Sequence, residues 1–226
     1  MYSTVIILAV MTAIVSYLIG SVNFSVILSR RLGGEDIRKT GSGNAGATNM
    51  LRRYGLKMAL LTLVLDILKG IVAILIARAV TDHFGSSPEL INALYYASLP
   101  YIAGLFVVIG HDFPLYFGFR GGKGVATSLG VLIMLDWKMG LLIGICSIAV
   151  MALTRYVSLG SILGGAAFVV GETVGMLVSG DIVWVRLICS VVLGALLIWR
   201  HRENIGRLLR GEESKLGEKK KEAAKK

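Results

Sequence analysis

The chain alternates long apolar runs with short polar stretches rich in glycine and basic residues. The apolar runs cover residues 5–28, 56–80, 90–109, 125–135, 139–154, 157–178 and 182–199. Most approach the roughly 20 apolar residues that a helix needs to cross a bilayer. The fourth holds only eleven residues before Asp136-Trp137-Lys138. At 1.5 Å per residue it covers about 16 Å, roughly half the hydrocarbon core. Its start, Gly121-Gly122-Lys123-Gly124, is therefore expected below the headgroups, at a helix N-terminus sunk into the protein. Irregular backbone at that depth is tolerated only against protein or a wet cavity. The pattern predicts an all-α integral membrane protein, a bundle of seven transmembrane helices with a short fourth span. Residues 1–212 form one domain in this reading, and residues 213–226 a basic tail.

Polar groups inside the runs come next. Gly20-Ser21-Val22-Asn23 lies late in the first run and reads equally as a helix–helix contact or as the wall of a polar cavity. Asp66 and Lys69 sit near the middle of the second run. An ionisable residue there costs about 2.5–3.5 kcal/mol on insertion scales, so both should face protein or water. Three apart, they can pair on one helix face, and the pair reads either as self-neutralising and structural or, the favoured reading, as a lysine aimed at substrate and oriented by the aspartate. Glu172, deep in the sixth run, has no assigned role. Ser158 and Ser161 stand at the start of that run, where capping is the default for Ser158.

Charge sets the orientation. The chain has 24 lysines and arginines against 14 acidic residues, and twenty of the 24 fall on one side when the runs are numbered in order. The positive-inside rule then puts the N-terminus outside and the C-terminus in the cytoplasm. The net charge of +10 carries no aromatic–basic interleaving, so no nucleic-acid partner is expected. Cys146 and Cys189 lack metal-ligand spacing and read as apolar fillers; no metal and no cofactor are expected. The start, MYSTVIILAV, has no basic leader, and a cleaved signal peptide is not expected.

The candidate chemistry lies in the cytoplasmic stretches. In GHDFPLYFGFRGGKGVAT, residues 110–127, five glycines surround His111, Arg120 and Lys123. A glycine-dense turn opening a helix offers unpaired N–H groups and a positive dipole end, which suits phosphate. It is not a Walker loop: the glycine spacing is one residue short, and Gly124 follows Lys123 where Ser or Thr should hold Mg²⁺. The alternative is a plain helix-linking turn whose basic residues only mark the cytoplasmic side. In GSGNAGATNMLRRYG, residues 41–55, Gly41, Gly43 and Gly46 match the dinucleotide fingerprint in letters only, because no strand precedes them. Ser42, Asn44, Thr48, Asn49 and Arg52 supply donors for an anion there. In RHRENIGRLLRGEE, a continuing helix would place His201, Asn204 and Arg207 at offsets of three.

These three stretches together resemble, in order, the motifs of the acyl-phosphate:glycerol-3-phosphate acyltransferase family of the PlsY type. Asp66-x-x-Lys69-Gly70 resembles a further signature, so the likeness covers nearly the whole chain. It implies a seven-span enzyme of the bacterial plasma (inner) membrane that works as a monomer. The reaction implied moves an acyl chain from acyl phosphate to the sn-1 hydroxyl of glycerol 3-phosphate. The site residues it implies are His201, Asn204, Lys123 and Ser42 for catalysis. For substrate and phosphate binding they are Gly43, Asn44, Asn49, Arg52, Lys69, His111, Gly121, Gly122, Gly124, Thr127, Ser158 and Ser161. The chain departs from the family pattern where Val22-Asn23 replaces an apolar residue and proline, and where Leu159-Gly160 separates Ser158 from Ser161. No histidine is followed five residues later by aspartate, so the HxxxxD device of other glycerolipid acyltransferases is absent. The competing class is a transporter of an organic phosphate, which usually shows paired repeats that this chain lacks.

Overall fold

The computed structural model describes residues 2–85, 98–180 and 182–218, and the described residues are helical with connecting loops. The helices are α1 (Tyr2–Ser21), α2 (Phe24–Gly33), α3 (Ala47–Gly85), α4 (Leu99–Asp112), α5 (Val125–Leu135), α6 (Trp137–Thr154), α7 (Val157–Ser179), α8 (Trp184–Arg200) and α9 (Arg202–Leu209). Among the described residues five segments are long and apolar enough to cross a membrane, with α1 and α2 counted as one. The bent pair of α8 and α9 makes a sixth, and α5 is an apolar helix too short to be counted with them.

Local chemistry sets the boundaries. Asp136 caps α6 by accepting from the amide of Met139 at 3.0 Å, so α5 turns into α6 through a single residue. Pro100 stands in the first turn of α4, where its missing N–H costs nothing. The first apolar run is not one continuous helix: it breaks at Val22-Asn23. Asn23 starts α2 by accepting from the amide of Val26 at 3.2 Å and from the Ser25 hydroxyl at 2.7 Å. The second run begins inside a longer helix, kinked at Gly55. The polar turn expected after it starts later, because α3 runs through Thr81 to Gly85. The first part of the third run lies outside the described residues. The C-terminal stretch does not continue α8 but bends by 54° at His201.

The apolar core joins α3, α4, α5, α7 and α8 through Ala73, Ile74, Ala103, Val107, Val131, Phe168 and Leu193. Lipid removes much of the hydrophobic drive between helices, so close backbone approach holds the bundle. Gly20 of α1 and Gly110 of α4 let those helices touch, each lying against carbonyl backbone of the other. Gly70 of α3 and Gly130 of α5 do the same at the next crossing, where a Cβ would strike the carbonyls of Thr127 and Ile67. Far from the glycine-rich loops, Glu172 of α7 is paired with Arg186 of α8 at 2.9 Å and accepts from the Tyr101 hydroxyl at 3.3 Å. That buried carboxylate, unassigned from sequence, staples α4, α7 and α8.

Gly130→Val should therefore force α3 and α5 apart, at a cost of about 1–3 kcal/mol for overpacking. Gly175→Ala, in the open space on α7, should be neutral or slightly stabilising, since alanine is the better helix former. Thermal unfolding of both variants in detergent, with equal melting temperatures as the contrary result, checks the crossing.

Candidate functional site

The site is built outward from one buried lysine. Lys69, 4% exposed, projects from α3 toward the break between α1 and α2. Its ammonium donates to the carbonyls of Gly20 at 3.2 Å and Val22 at 3.1 Å. It also pairs with Asp66 at 2.9 Å and donates to Nδ1 of His111 at 2.7 Å. The break in the first run frees those carbonyls for it. An ammonium has only donors, so His111 Nδ1 accepts and the ring proton sits on Nε2. The Asp66–Lys69 pair expected from spacing forms, but the lysine is not aimed outward. Four acceptors already surround its three hydrogens, and its position is that of a structural hub rather than a ligand contact.

His111 carries the order to the glycine turn. Its Nε2 edge and the carbonyl of Ala45 lie against Gly122, and a Cβ there would strike both. The amides of Gly121 and Gly122 donate to the carbonyls of Asp112 and His111, each at 3.1 Å. They are therefore spent within the protein and cannot serve phosphate as the sequence led us to expect. The amides left are those of Val125, Ala126 and Thr127, the first of α5, which no helix pairs internally. Gly124, at φ +70°, makes the left-handed step that turns the chain into α5. Two arginines take up the turn's carbonyls. Arg200 donates from Nε to Gly122 O at 3.0 Å and from Nη2 to Gly121 O at 3.4 Å, and again to Gly122 O. Arg38 donates to the carbonyls of Phe117 at 2.6 Å and Arg120 at 2.8 Å while its other edge grips Asp36. The Arg38 fork holds the Asp36 carboxyl well below the usual carboxylate range.

Lys123 leaves this turn toward the third motif and donates to Asn204 Oδ1. Asn204 passes the contact on, donating to Glu213 Oε1 at 2.6 Å. The Ser158 hydroxyl donates to the same oxygen at 2.6 Å, and Arg207 Nε donates to Oε2 at 2.7 Å. Burial alone would raise the Glu213 carboxyl, but the hydrogen bonds from Ser158, Asn204 and Arg207 outweigh it and hold the group below its ordinary value. Burial pushes Lys123 the other way, down to about 8, with Arg207 adding like-charge repulsion. Leu216 pins the segment beyond α9 to Arg155: its amide donates to the Arg155 carbonyl at 2.7 Å, and its own carbonyl accepts from the Arg155 guanidinium at 2.8 Å. Residues 213–218 are thus docked on the bundle rather than forming a free tail from position 213. His201, at the bend, must donate from Nδ1 to the carbonyl of Leu197 at 2.8 Å, which leaves Nε2 as the acceptor.

The predicted residues divide accordingly. Asn204 and Ser158 meet on the Glu213 carboxylate with Lys123 bonded to Asn204, and His111, Gly121, Gly122 and Gly124 shape the turn that presents Lys123. Asn49 is corrected to a loop-former. It is buried, donates to the carbonyls of Ile37, Thr40 and Asn44, and accepts from the amide of Ser42 at 3.2 Å. The Thr127 side chain is fully buried beside the α3–α5 crossing. Ser161 donates into its own helix, to Val157 O at 2.9 Å. Ser158 does not cap α7, as its bond to Glu213 shows. Ser42, Gly43 and Arg52 are exposed, and Asn44 half-buried, on the first loop, which reaches the turn through Ala45 and Arg38. Sequence reasoning missed Arg38, Arg200 and Glu213 as site-builders. Their only signal was to lie within or beside the three basic stretches. Among the described residues no cluster of three metal-ligating side chains occurs.

A family model described as glycerol-3-phosphate acyltransferase matches residues 10–211. A glycerol-3-phosphate acyltransferase of Thermoanaerobacter pseudethanolicus is 44% identical over 214 residues, 93% of this chain and 97% of its own. Glycerol-3-phosphate acyltransferase 1 of Deinococcus radiodurans is 48% identical over 211 residues, again 93% and 97%. Among solved structures, PlsY (YgiH), an integral membrane glycerol 3-phosphate acyltransferase, superposes in its glycerol 3-phosphate form with a TM-score of 0.77 and 38% identity, covering 92% of this chain and 96% of that one. Its lysophosphatidic acid form gives a TM-score of 0.73.

The hub position of Lys69 has a measurable consequence. Lys69→Met strands Asp66 and two buried carbonyls and should cost about 3–5 kcal/mol, as for one partner removed from a buried pair. The variant should melt early in detergent and lose its monodisperse size-exclusion profile, and adding Asp66→Asn should recover part of the loss. A Lys69→Met protein of parental stability with only a raised KM would instead put the ammonium on substrate.

Proposed function

The chain belongs to the glycerol-3-phosphate acyltransferase family, and on that premise we propose that it acylates glycerol 3-phosphate with acyl phosphate as donor. The products are lysophosphatidic acid, acylated at the sn-1 hydroxyl, and inorganic phosphate. The observation that carries the reading is the convergence of Asn204, Ser158 and Arg207 on the Glu213 carboxylate beside the glycine turn, with Lys123 bonded to Asn204. Donors from three separated stretches gathered around one oxyanion make a receptor for anionic groups. Lys123 and Arg207 retain N–H donors beyond those bonds, and the first amides of α5 point the same way along the dipole.

The chemistry follows from the donor's nature. In acyl phosphate the acyl carbon is already activated by a good leaving group. The sn-1 oxygen bonds to that carbon, the carbon–oxygen bond to phosphate breaks, and phosphate departs with the electron pair. The hydroxyl proton passes to a phosphate oxygen of a bound substrate, with His201 Nε2 as the protein's own acceptor. What the enzyme supplies is placement and charge: Lys123 and the α5 terminus stabilise the tetrahedral oxygen and the departing phosphate. The short α5 helps. Its eleven residues stand against eighteen in α6, so its start lies about 10 Å short of the end of α6. The reacting groups then meet in a recess, where charges act more strongly than in water. In this reading the seven apolar segments, α5 among them, lie in the bacterial plasma (inner) membrane of a monomer. The N-terminus is outside, and the loops and C-terminus are in the cytoplasm.

Purified protein given acyl phosphate and glycerol 3-phosphate in detergent should release phosphate in proportion to lysophosphatidic acid. Acyl-CoA should not replace the donor, since no feature of the site suits a nucleotide; equal rates with both donors would overturn that choice.

Lys123→Ala should lower kcat/KM by about 10²–10³ with the fold intact, as for one preorganised donor lost. Lys123→Arg should recover only part, because a planar fork does not replace a compact ammonium in a tight turn. Only the charged lysine binds phosphate, and its lowered pKa means that charge is lost as pH rises through about 8. The kcat/KM profile of the parent should therefore fall above pH 8, while the arginine variant keeps no such limb. Lys219→Ala, on the basic tail, should be near neutral. Steady-state phosphate release across pH measures all four proteins.

A further inference from the structure

Asp112 has no part in the receptor described above, yet it is the most confined acidic group near it. It ends α4, is 0% exposed, and neither carboxylate oxygen has a hydrogen-bond partner among the described residues. A buried carboxylate without such bonds is costly and persists only where cations repay it. Arg200 Nε stands 3.8 Å from Oδ2. Arg200 is otherwise held by three contacts: the carbonyls of Gly121 and Gly122, and the ring of Phe113, 5.2 Å from its Cζ. The same turn is tied from its other side, since the Asp112 carbonyl accepts the amide of Gly121. On the far side, Gly124 passes close to Oδ1, with a Cβ at that glycine falling 3.2 Å from it.

We propose that Asp112 is a positioning residue: its carboxyl anchors the Arg200 fork, which sets the peptide planes of Gly121 and Gly122 and through them aims Lys123 at substrate phosphate. Without the carboxylate, Arg200 is free to swing toward the exposed anion receptor, the carbonyls of the turn lose their donor, and Lys123 leaves its line. The proposal rests on the acyl-transfer reading for its kinetic consequences but not for the contact itself.

The test is a double-mutant cycle on Asp112 and Arg200, read twice. Asp112→Asn should lower kcat/KM about tenfold and Arg200→Gln about a hundredfold, in keeping with a displaced catalytic group. With Arg200 gone the carboxyl has nothing to anchor, so adding Asp112→Asn to Arg200→Gln should cost no more than Arg200→Gln alone. Effects that multiply instead, or an Asp112→Asn enzyme equal to the parent, would overturn the proposal. If Arg200→Gln cannot be isolated folded, Arg200→Lys replaces it. There the cation remains, so Asp112→Asn should still lower kcat/KM. The same four proteins melted in detergent need no substrate. Non-additive melting temperatures support the anchor even if no variant turns over, in which case the acyl-transfer reading fails separately; additive ones refute it.

Discussion

A lysine ammonium buried in the middle of a membrane bundle must find acceptors, and the arrangement of this protein follows from how Lys69 finds them. Its own helix offers Asp66, and a neighbouring helix offers a histidine nitrogen. The remaining two acceptors exist only because the first apolar run breaks at Val22-Asn23 and leaves the carbonyls of Gly20 and Val22 unpaired. The break would be costly in lipid on its own. Break and lysine are each a liability alone, and together they satisfy one another.

From that hub the order passes outward through short, rigid links. His111 accepts from Lys69 on one edge and meets Gly122 with the other, while its carbonyl takes the amide of Gly122. The glycines at 121 and 122 therefore act by giving room to the ring and to the backbone of the first loop. Arg38 and Arg200 draw the turn's carbonyls toward themselves and away from the space in front of Lys123. Without those two arginines the carbonyl oxygens would be free to face an incoming phosphate and oppose it. In the proposed reaction, selectivity for an anion would rest as much on acceptors removed as on donors supplied.

Glu213 closes the far side. Its carboxylate lies where Ser158 of α7, Asn204 and Arg207 of α9 and, through Asn204, Lys123 come together. It ties a segment beyond the last helix to the start of α7, and the 54° bend at His201 is what turns α9 toward it. A straight continuation of α8 would carry Asn204 and Arg207 on along the helix axis, away from the glycine turn.

Much of this was legible along the chain. Hydrophobic runs marked the helices, because apolar length is what a bilayer selects. The eleven-residue run announced the short apolar helix α5, and three-residue spacing announced the Asp66–Lys69 pair, because both are local properties of helix geometry. The three glycine-basic stretches pointed to the family and to Lys123 and Asn204. What spacing could not carry is direction and partnership across long separations. Lys69 turns inward because α1 and α4 touch at Gly20 and Gly110, a contact between residues ninety positions apart. Whether the amides of Gly121 and Gly122 are free depends on where α4 ends beside them. Arg38, Asp112, Arg200 and Glu213 carry the same letters as any surface charge near a membrane face. Their roles arise when packing takes them out of water and forces each to find a partner that sequence distance hides.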